Sequence, residues 1–254
     1  MWFVPGSALT DEQLKTMPTQ VASRMPAALL RVTKRLTPML DIPVLDMQAA
    51  TPNPRQRSLI DQLGRNLSTH GSDKSTTHDY HTLYGLILSV LGDSPRILEI
   101  GLGSNNLEIA SNMGVNGKPG ASLRAFQDFA PSAIVHGADI DSTIKVEGCK
   151  TFTVDQTNPA SFSAIRLEGE PLYDLIIDDG LHSPDANLNT LDFALSCLAE
   201  GGFIVIEDIT PASLAIWRTV QHLFLSTSYQ SFLIKARSAF VFVVSNRLSL
   251  PGMW

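Results

Sequence analysis

Two short stretches carry an oily run to a charged tip. YDLIIDDGLH (173–182) ends in Asp178 and Asp179, then a glycine, then His182 three residues past Asp179; GGFIVIEDI (201–209) ends in Glu207 and Asp208. Paired acids at the end of a core segment are costly, because burial and like charge both oppose ionisation. If the two runs are neighbouring parallel strands, their tips lie about 5 Å apart, and Asp178, Asp179, Glu207 and Asp208 crowd together. A divalent cation removes that repulsion. Carboxylate oxygens with no thiolate and at most one imidazole nearby suit a hard ion, Mg²⁺ first and Mn²⁺ next. His182 stands where it can take a proton from a hydroxyl held beside such an ion, the role of a general base. Asp178 either faces a cofactor or orients the loop.

A second constellation precedes these tips. EIGLGSNN (99–106) places Gly101 and Gly103 in a turn after an apolar run, where missing side chains let a ligand approach the backbone. Asn106 stands where a dinucleotide fingerprint has its third glycine, and no P-loop lysine follows, so no pyrophosphate site is expected. Glu99, Asp139 (in GADID) and Asp155 (in VDQ) end three successive candidate strands. Acids at three tips suit hydroxyl and amine donors and repel phosphates. S-adenosylmethionine has a sulfonium, an ammonium, ribose hydroxyls, an adenine amine and no phosphate, so it matches this rim better than NAD or ATP. In this reading Asp139 accepts from the ribose hydroxyls, and Asp155, with Gln156 beside it, lies on the adenine side. Gly101, Gly103 and Ser104 run along the methionine portion.

The elements that must position these residues alternate regularly from about residue 58. Candidate strands are RILEI (96–100), AIVHGAD (133–139), KTFTVD (150–155), YDLIID (173–178) and FIVIED (203–208), each short and mostly apolar, as in strands buried on both faces. Helical patterns precede the first (HDYHTLYGLILSVLG), follow it (NNLEIASNM) and precede the fifth (ANLNTLDFALSCLAE). SFLIKARS and AFVFVVSN then read as a closing antiparallel hairpin. The predicted fold is α/β: a doubly wound, mostly parallel sheet of seven strands, with ligands beyond the strands' carboxyl ends. Residues 1–57 hold several prolines and short helical patterns. They read as an N-terminal helical arm, packing on the core or on another subunit, before a catalytic domain at 58–254.

Bulk properties narrow the function. The chain has 254 residues, 44% hydrophobic and 17% charged, the profile of a core-forming protein. A net charge of −6 argues against nucleic acid as the main partner, and the cluster Arg31, Lys34 and Arg35 reads as a solvated helix face. No apolar run reaches membrane-spanning length, and MWFVPGSALTDEQ lacks a signal-peptide pattern. Cys149 and Cys197 show no metal-ligand spacing, so a cytoplasmic setting is expected.

The motifs SDKSTTHDYHTLY (72–84), ILEIGLGS (97–104), GASLRAFQDFAPSAIVHGADID (120–141), VDQTN (154–158), IIDDGLH (176–182) and GGFIVIEDI (201–209) resemble, in order and spacing, the class I S-adenosylmethionine-dependent methyltransferases. The resemblance is to the metal-dependent sugar O-methyltransferases of macrolide and tetracenomycin biosynthesis. It implies metal ligands at Asp179, Glu207 and Asp208, and a segment around Asp73, Lys74, His78 and Tyr80 that closes over cofactor or substrate. The cofactor side is then Lys74, Glu99, Gly101, Gly103, Ser104, Asp139, Asp155, Gln156 and Asp178. Phe126 stands where the family pattern suggests Trp. The reading is an O-methyltransferase of a small, glycosylated natural product and a homo-oligomer. Carbon or nitrogen methylation of a related metabolite, or a non-catalytic cofactor-binding scaffold, are the alternatives.

Overall fold

The computed structural model describes residues 10–36, 42–165, 172–247, 249 and 252. The signal-peptide reading falls largely on residues 1–9, outside them. The chain runs α1 (Asp11–Leu36), β1 (Leu45–Asp46), α2 (Pro54–His70), α3 (Asp73–Thr76), α4 (Tyr80–Leu88), β2 (Arg96–Ile100), α5 (Ala121–Phe129), β3 (Ile134–Asp139), β4 (Lys150–Thr153), β5 (Tyr173–Asp178), α6 (Pro184–Cys197), β6 (Leu198–Ile209), α7 (Leu214–Phe224), β7 (Gln230–Lys235) and β8 (Phe240–Ser245). Among the described residues the strands form one sheet, ordered β1-β7-β8-β6-β5-β2-β3-β4. It is parallel except where β8 runs against β6 and β7. The strand order reverses at β2, which has β3 on one side and β5 on the other. That places a crevice at the carboxyl ends of these strands.

Both faces of the sheet are covered. Ile97, Leu175, Ile177, Phe203 and Val205 pack with Leu63, Leu67, Leu83, Tyr84 and Phe126 from α2, α4 and α5. Leu98, Ile176, Ile204 and Ile206 pack on the other face with Leu191, Ala194, Trp217 and Phe224 from α6 and α7. The α2 helix starts with a reciprocal cap, Asn53 Oδ1 accepting from the Gln56 amide and Gln56 Oε1 from the Asn53 amide, both at 2.9 Å. It ends on Gly71 at φ 82°, a left-handed turn that sends the chain into α3.

Three details differ from the sequence reading. The sheet has an eighth strand, because Leu45 and Asp46 pair with Ile234 and Lys235 and cover what would otherwise be the open edge of β7. The proline-bearing arm is not a series of short pieces. Asp11–Leu36 is one helix through Pro18 and Pro26 that packs along α7, a tertiary contact that outweighs the helix cost of proline. Third, NNLEIASNM is not helical. Asn105 Nδ2 donates to the carbonyls of Gly114 (2.6 Å) and Gly117 (3.1 Å), and Asn106 and Asn112 accept from the amides of Glu108 and Gly114 at 3.0 Å. These side chains compete with the backbone bonds a helix would need.

The α2 and α4 helices meet closely at Gly85, where an added Cβ would lie 2.8 Å from the Ile60 Cα. Gly85→Ala should therefore destabilise the protein by about 1–3 kcal/mol, although alanine is the better helix former by about 1 kcal/mol. A urea titration in which the variant's midpoint rises instead would disprove this account of the packing.

Candidate active site

Alternation along three adjoining strands sorts the acids. Ile97 of β2, Leu175 and Ile177 of β5, and Phe203 and Val205 of β6 face α2 and α4. Two residues on, Glu99, Asp179 and Glu207 continue these rows and emerge on the same side. Asp178 belongs to the opposite row and points toward α6. Adjacent aspartates thus take different work: one supports the loop from below, the other reaches the crevice.

Lys74 ties the three same-side acids together. Its side chain is 2% exposed. Its Nζ lies 2.5 Å from Asp179 Oδ2, 3.2 Å from Glu99 Oε1, and in direct contact with Glu207 Oε2. Burial opposes the ammonium charge, yet Asp179, Glu207 and Glu99 together hold the pKa of Lys74 well above that of an ordinary lysine. Burial also pushes Glu99 and Glu207 up, and Lys74 only partly offsets it because its charge is shared. The Tyr84 hydroxyl donates to Glu207 Oε1 and the Tyr80 hydroxyl to Asp208 Oδ1, the latter at 2.6 Å. Burial, with these acids beside them, raises both phenols far above the usual range, so both remain donors. His78 stacks on Tyr80 with ring centroids 4.9 Å apart. Its pKa is raised by its bond to Asp73 against the effect of burial.

Asp179, His182 and Asp208 each offer a ligand atom, and these atoms all lie within 4.8 Å of one another. His182 Nε2 is 3.8 Å from Asp208 Oδ2, while its Nδ1 is buried with no hydrogen-bond partner among the described residues. Both His182 (φ 57°) and Asp208 (φ 55°) are left-handed non-glycine residues. Such backbone persists only where the surroundings enforce it, and it is concentrated at functional sites.

Two adjoining cavities open onto this cluster. The first, about 320 Å³, is lined by Gly101, Gly103, Ser104, Glu108, Ser111, Asp139, Asp155, Gln156, Asp179 and apolar neighbours, with no Lys, Arg or His. The second, about 390 Å³, reaches Ser72, Asp73, Lys74, Gly101, Gly103, Lys118, Ser122, Asp179, His182 and Asp208. At Gly101, φ is 91° and a Cβ would overlap the Asp179 carbonyl, so this turn and the acidic loop can be neighbours only with glycine there.

Six of the nine predicted cofactor residues line the first cavity: Gly101, Gly103, Ser104, Asp139, Asp155 and Gln156. The other three sit elsewhere. Glu99 is fully buried against Lys74 and Ser122, Asp178 is fully buried against α6, and Lys74 reaches the second cavity with its ammonium already committed. Of the predicted metal ligands, Asp179 and Asp208 share a cluster. Glu207 instead meets Lys74 and Tyr84, and His182, read as a base, stands as the third group of that cluster. Asp139 Oδ2 accepts from the Leu102 amide at 2.7 Å, an anchoring bond that strand-end position did not suggest.

Sequence reasoning missed Glu108 and Ser111 on the cavity wall, and Asp141, whose Oδ2 accepts from Ser104 at 2.5 Å. It assigned no role to Tyr84. The i, i+4 spacing of Tyr80 and Tyr84 on one helix was an available signal, since it puts two hydroxyls on one face.

Lys74→Met leaves Glu99 and Glu207 buried without their cation. The loss should be about 3–5 kcal/mol, read as a lower melting temperature, and Mg²⁺ should raise that temperature more in the variant than in the parent. An unchanged melting temperature would show that Lys74 does not hold the strand ends together.

No protein-family model matches the chain. It is 29% identical over 143 residues to 8-demethyl-8-alpha-L-rhamnosyl tetracenomycin-C 2'-O-methyltransferase of Streptomyces olivaceus, which is 55% of this chain and 35% of the relative. It is 30% identical over 122 residues to L-olivosyl-oleandolide 3-O-methyltransferase of Streptomyces antibioticus, 47% of this chain and 29% of the relative. The chain thus spans well under half the length of these relatives. Among solved structures, the MycE methyltransferase of the mycinamycin biosynthetic pathway, in complex with Mg and SAH, superposes with a TM-score of 0.58 at 21% identity, covering 76% of this chain and 57% of that one. The chain is similar in sequence to these two O-methyltransferases, and its doubly wound, Rossmann-like fold is shared with the MycE methyltransferase.

Proposed function

We propose that the chain is an S-adenosylmethionine-dependent, divalent-metal-assisted O-methyltransferase acting on a hydroxyl of a glycosylated small molecule. The observation that carries this is a cavity whose charged lining is entirely acidic (Glu108, Asp139, Asp155 and Asp179), adjoining the Asp179, His182 and Asp208 cluster. A wall of this kind suits a cationic ligand rich in hydroxyl and amine donors and rejects phosphates. The strand-tip group fits a hard cation. Glu99, Asp179 and Glu207 share the ammonium of Lys74, Asp208 stands beside Asp179, and a divalent ion held by oxygen donors would offset their surplus negative charge.

When bound, S-adenosylmethionine supplies an electrophilic methyl group on a positively charged sulfur. Mg²⁺ or Mn²⁺ would be held by Asp179 and Asp208, with Glu207 as third carboxylate once it gives up its pairing with Lys74, and would supply Lewis acidity toward a hydroxyl. The protein does the rest. Asp139 and Asp155 orient the nucleoside through its hydroxyl and amine donors. The second cavity holds the acceptor beside the first, so that the two reactants need no further encounter. His182, which lines the second cavity, takes the proton of the acceptor hydroxyl. Asp208 Oδ2 stands 3.8 Å from its Nε2. Tyr80 keeps Asp208 aimed by donating to its other oxygen.

Residues 1–57 act as an arm to a methyltransferase domain at 58–254, although α2 runs through that boundary. The exposed row Met25, Leu29 and Val32 on α1, at one-face helical spacing, supports a homo-oligomer built through the arm. Net charge −6 supports a small-molecule acceptor over nucleic acid. Two free cysteines support a cytoplasmic setting. Among the described residues no helix is long and apolar enough to cross a membrane.

Labelled S-adenosylmethionine with a panel of glycosides should show methyl transfer that a chelator abolishes and Mg²⁺ or Mn²⁺ restores. His182→Ala should lower kcat by about 10²–10⁴-fold, with S-adenosylhomocysteine still bound. Full turnover in the chelator, or a fully active His182→Ala enzyme, would refute the proposal.

A further inference from the structure

Gln156 lines the first cavity, but its carboxamide is already occupied. Its Nε2 donates to Asp178 Oδ1 and to Thr190 Oγ1, both at 2.7 Å, and its Oε1 accepts from the Leu181 amide at 2.8 Å. The last bond settles the amide's orientation, because the backbone N–H needs an acceptor. Gln156 is only 8% exposed, and its own carbonyl accepts from Asn189 Nδ2 at 2.9 Å. Both amide hydrogens are therefore spent inside the protein, on α6 and on the root of the acidic loop.

That loop, Asp179 to His182, is gripped through its backbone. The Asp179 amide donates to the Ile100 carbonyl at 2.8 Å, and the Gly180 amide to Asp178 Oδ1 at 3.3 Å. Ser111 Oγ donates to the Gly180 carbonyl at 3.0 Å. Gly180 itself is pressed against Gln156, since a Cβ there would overlap the carboxamide. Asp178 Oδ2 accepts from Asn187 Nδ2 at 3.0 Å. Of these contacts, the one to Leu181 lies next to His182, whose left-handed backbone (φ 57°) needs outside support.

We infer that Gln156 is a positioning residue. Its carboxamide locks the Asp179–His182 loop to β5 and α6, and so sets where Asp179 and His182 stand, rather than binding the cofactor. This rests on the function proposed above and gives one of its cavity residues a different task. Displacing a group by as little as an ångström can cost about 10²-fold in rate, and partners that orient metal ligands are typically worth about 10–100-fold in metal affinity or activity.

Gln156→Leu keeps the bulk and deletes all three side-chain bonds. Hydrogen exchange on the ligand-free protein should be at least about tenfold faster at amides 179–183 in this variant, from a loss of about 1.4 kcal/mol in local opening. Mn²⁺ affinity by electron paramagnetic resonance and kcat should each fall about 10–100-fold. The S-adenosylhomocysteine Kd and the KM for S-adenosylmethionine should stay near the parent values. If Gln156→Leu does not fold, Gln156→Asn serves, because it keeps the amide but is one methylene too short to reach Leu181. Weaker S-adenosylhomocysteine binding with unchanged loop exchange would overturn the inference and make Gln156 a cofactor contact. If the parent binds no Mn²⁺, the metal reading fails, and the exchange data alone still decide the role of Gln156.

Discussion

The carboxyl edge of this sheet depends on one buried ammonium. Three strands end in Glu99, Asp179 and Glu207 on a common face, and without Lys74 these three acids would lose the cation they share. An isolated ion in such a place is strongly disfavoured, and a paired one is tolerated only when its remaining hydrogen-bonding positions are satisfied. Ser122 satisfies Glu99, Tyr84 satisfies Glu207, and Tyr80 satisfies Asp208. The helical layer formed by α3, α4 and α5 is thereby bonded to the strand tips by polar contacts as well as packed on them by apolar ones.

That arrangement also explains why the site invites a further positive charge. One ammonium cannot balance three carboxylates, and burial, only partly offset by Lys74, raises the affinities of Glu99 and Glu207 for protons. A divalent ion among the same oxygens would relieve the imbalance without rebuilding the fold. Two residues at the cluster, His182 and Asp208, already hold left-handed backbone, so the strain of presenting them is borne by the folded chain in advance. Pre-placement of this kind is what a site needs if it is to avoid reorganising during a reaction.

Much of the architecture was legible because it follows from short-range rules. Apolar runs of strand length separated by helical patterns imply a parallel sheet, and strands at 96–100 and 173–178 appear at the read boundaries. The crevice residues Gly101, Gly103, Asp139 and Asp155 were readable because strand ends and glycine turns face ligands in such sheets. The turns of 105–113 were misread as a helix because their apolar spacing is helical, while the bonds that cancel it run from asparagine side chains to backbone groups as distant as Gly117. The single α1 helix was misread for the opposite reason, since its prolines argue for breaks and the packing that overrides them lies on α7, nearly the whole chain away.

By itself, the sequence determined the inventory: an α/β sheet, a glycine turn, and two acidic strand tips followed by a histidine. These depend on residue type and on periods of two and 3.6, which are local properties of the chain. Only the tertiary structure decided how the acids divide. Lys74, 105 residues from Asp179 and 133 from Glu207 in the chain, pairs with Glu207 while His182 joins Asp179 and Asp208. Gln156 turns away from the cavity it lines to hold the acidic loop. Partner choice among buried polar groups depends on which side chains the fold brings within hydrogen-bonding reach, and no spacing rule along the chain encodes that distance.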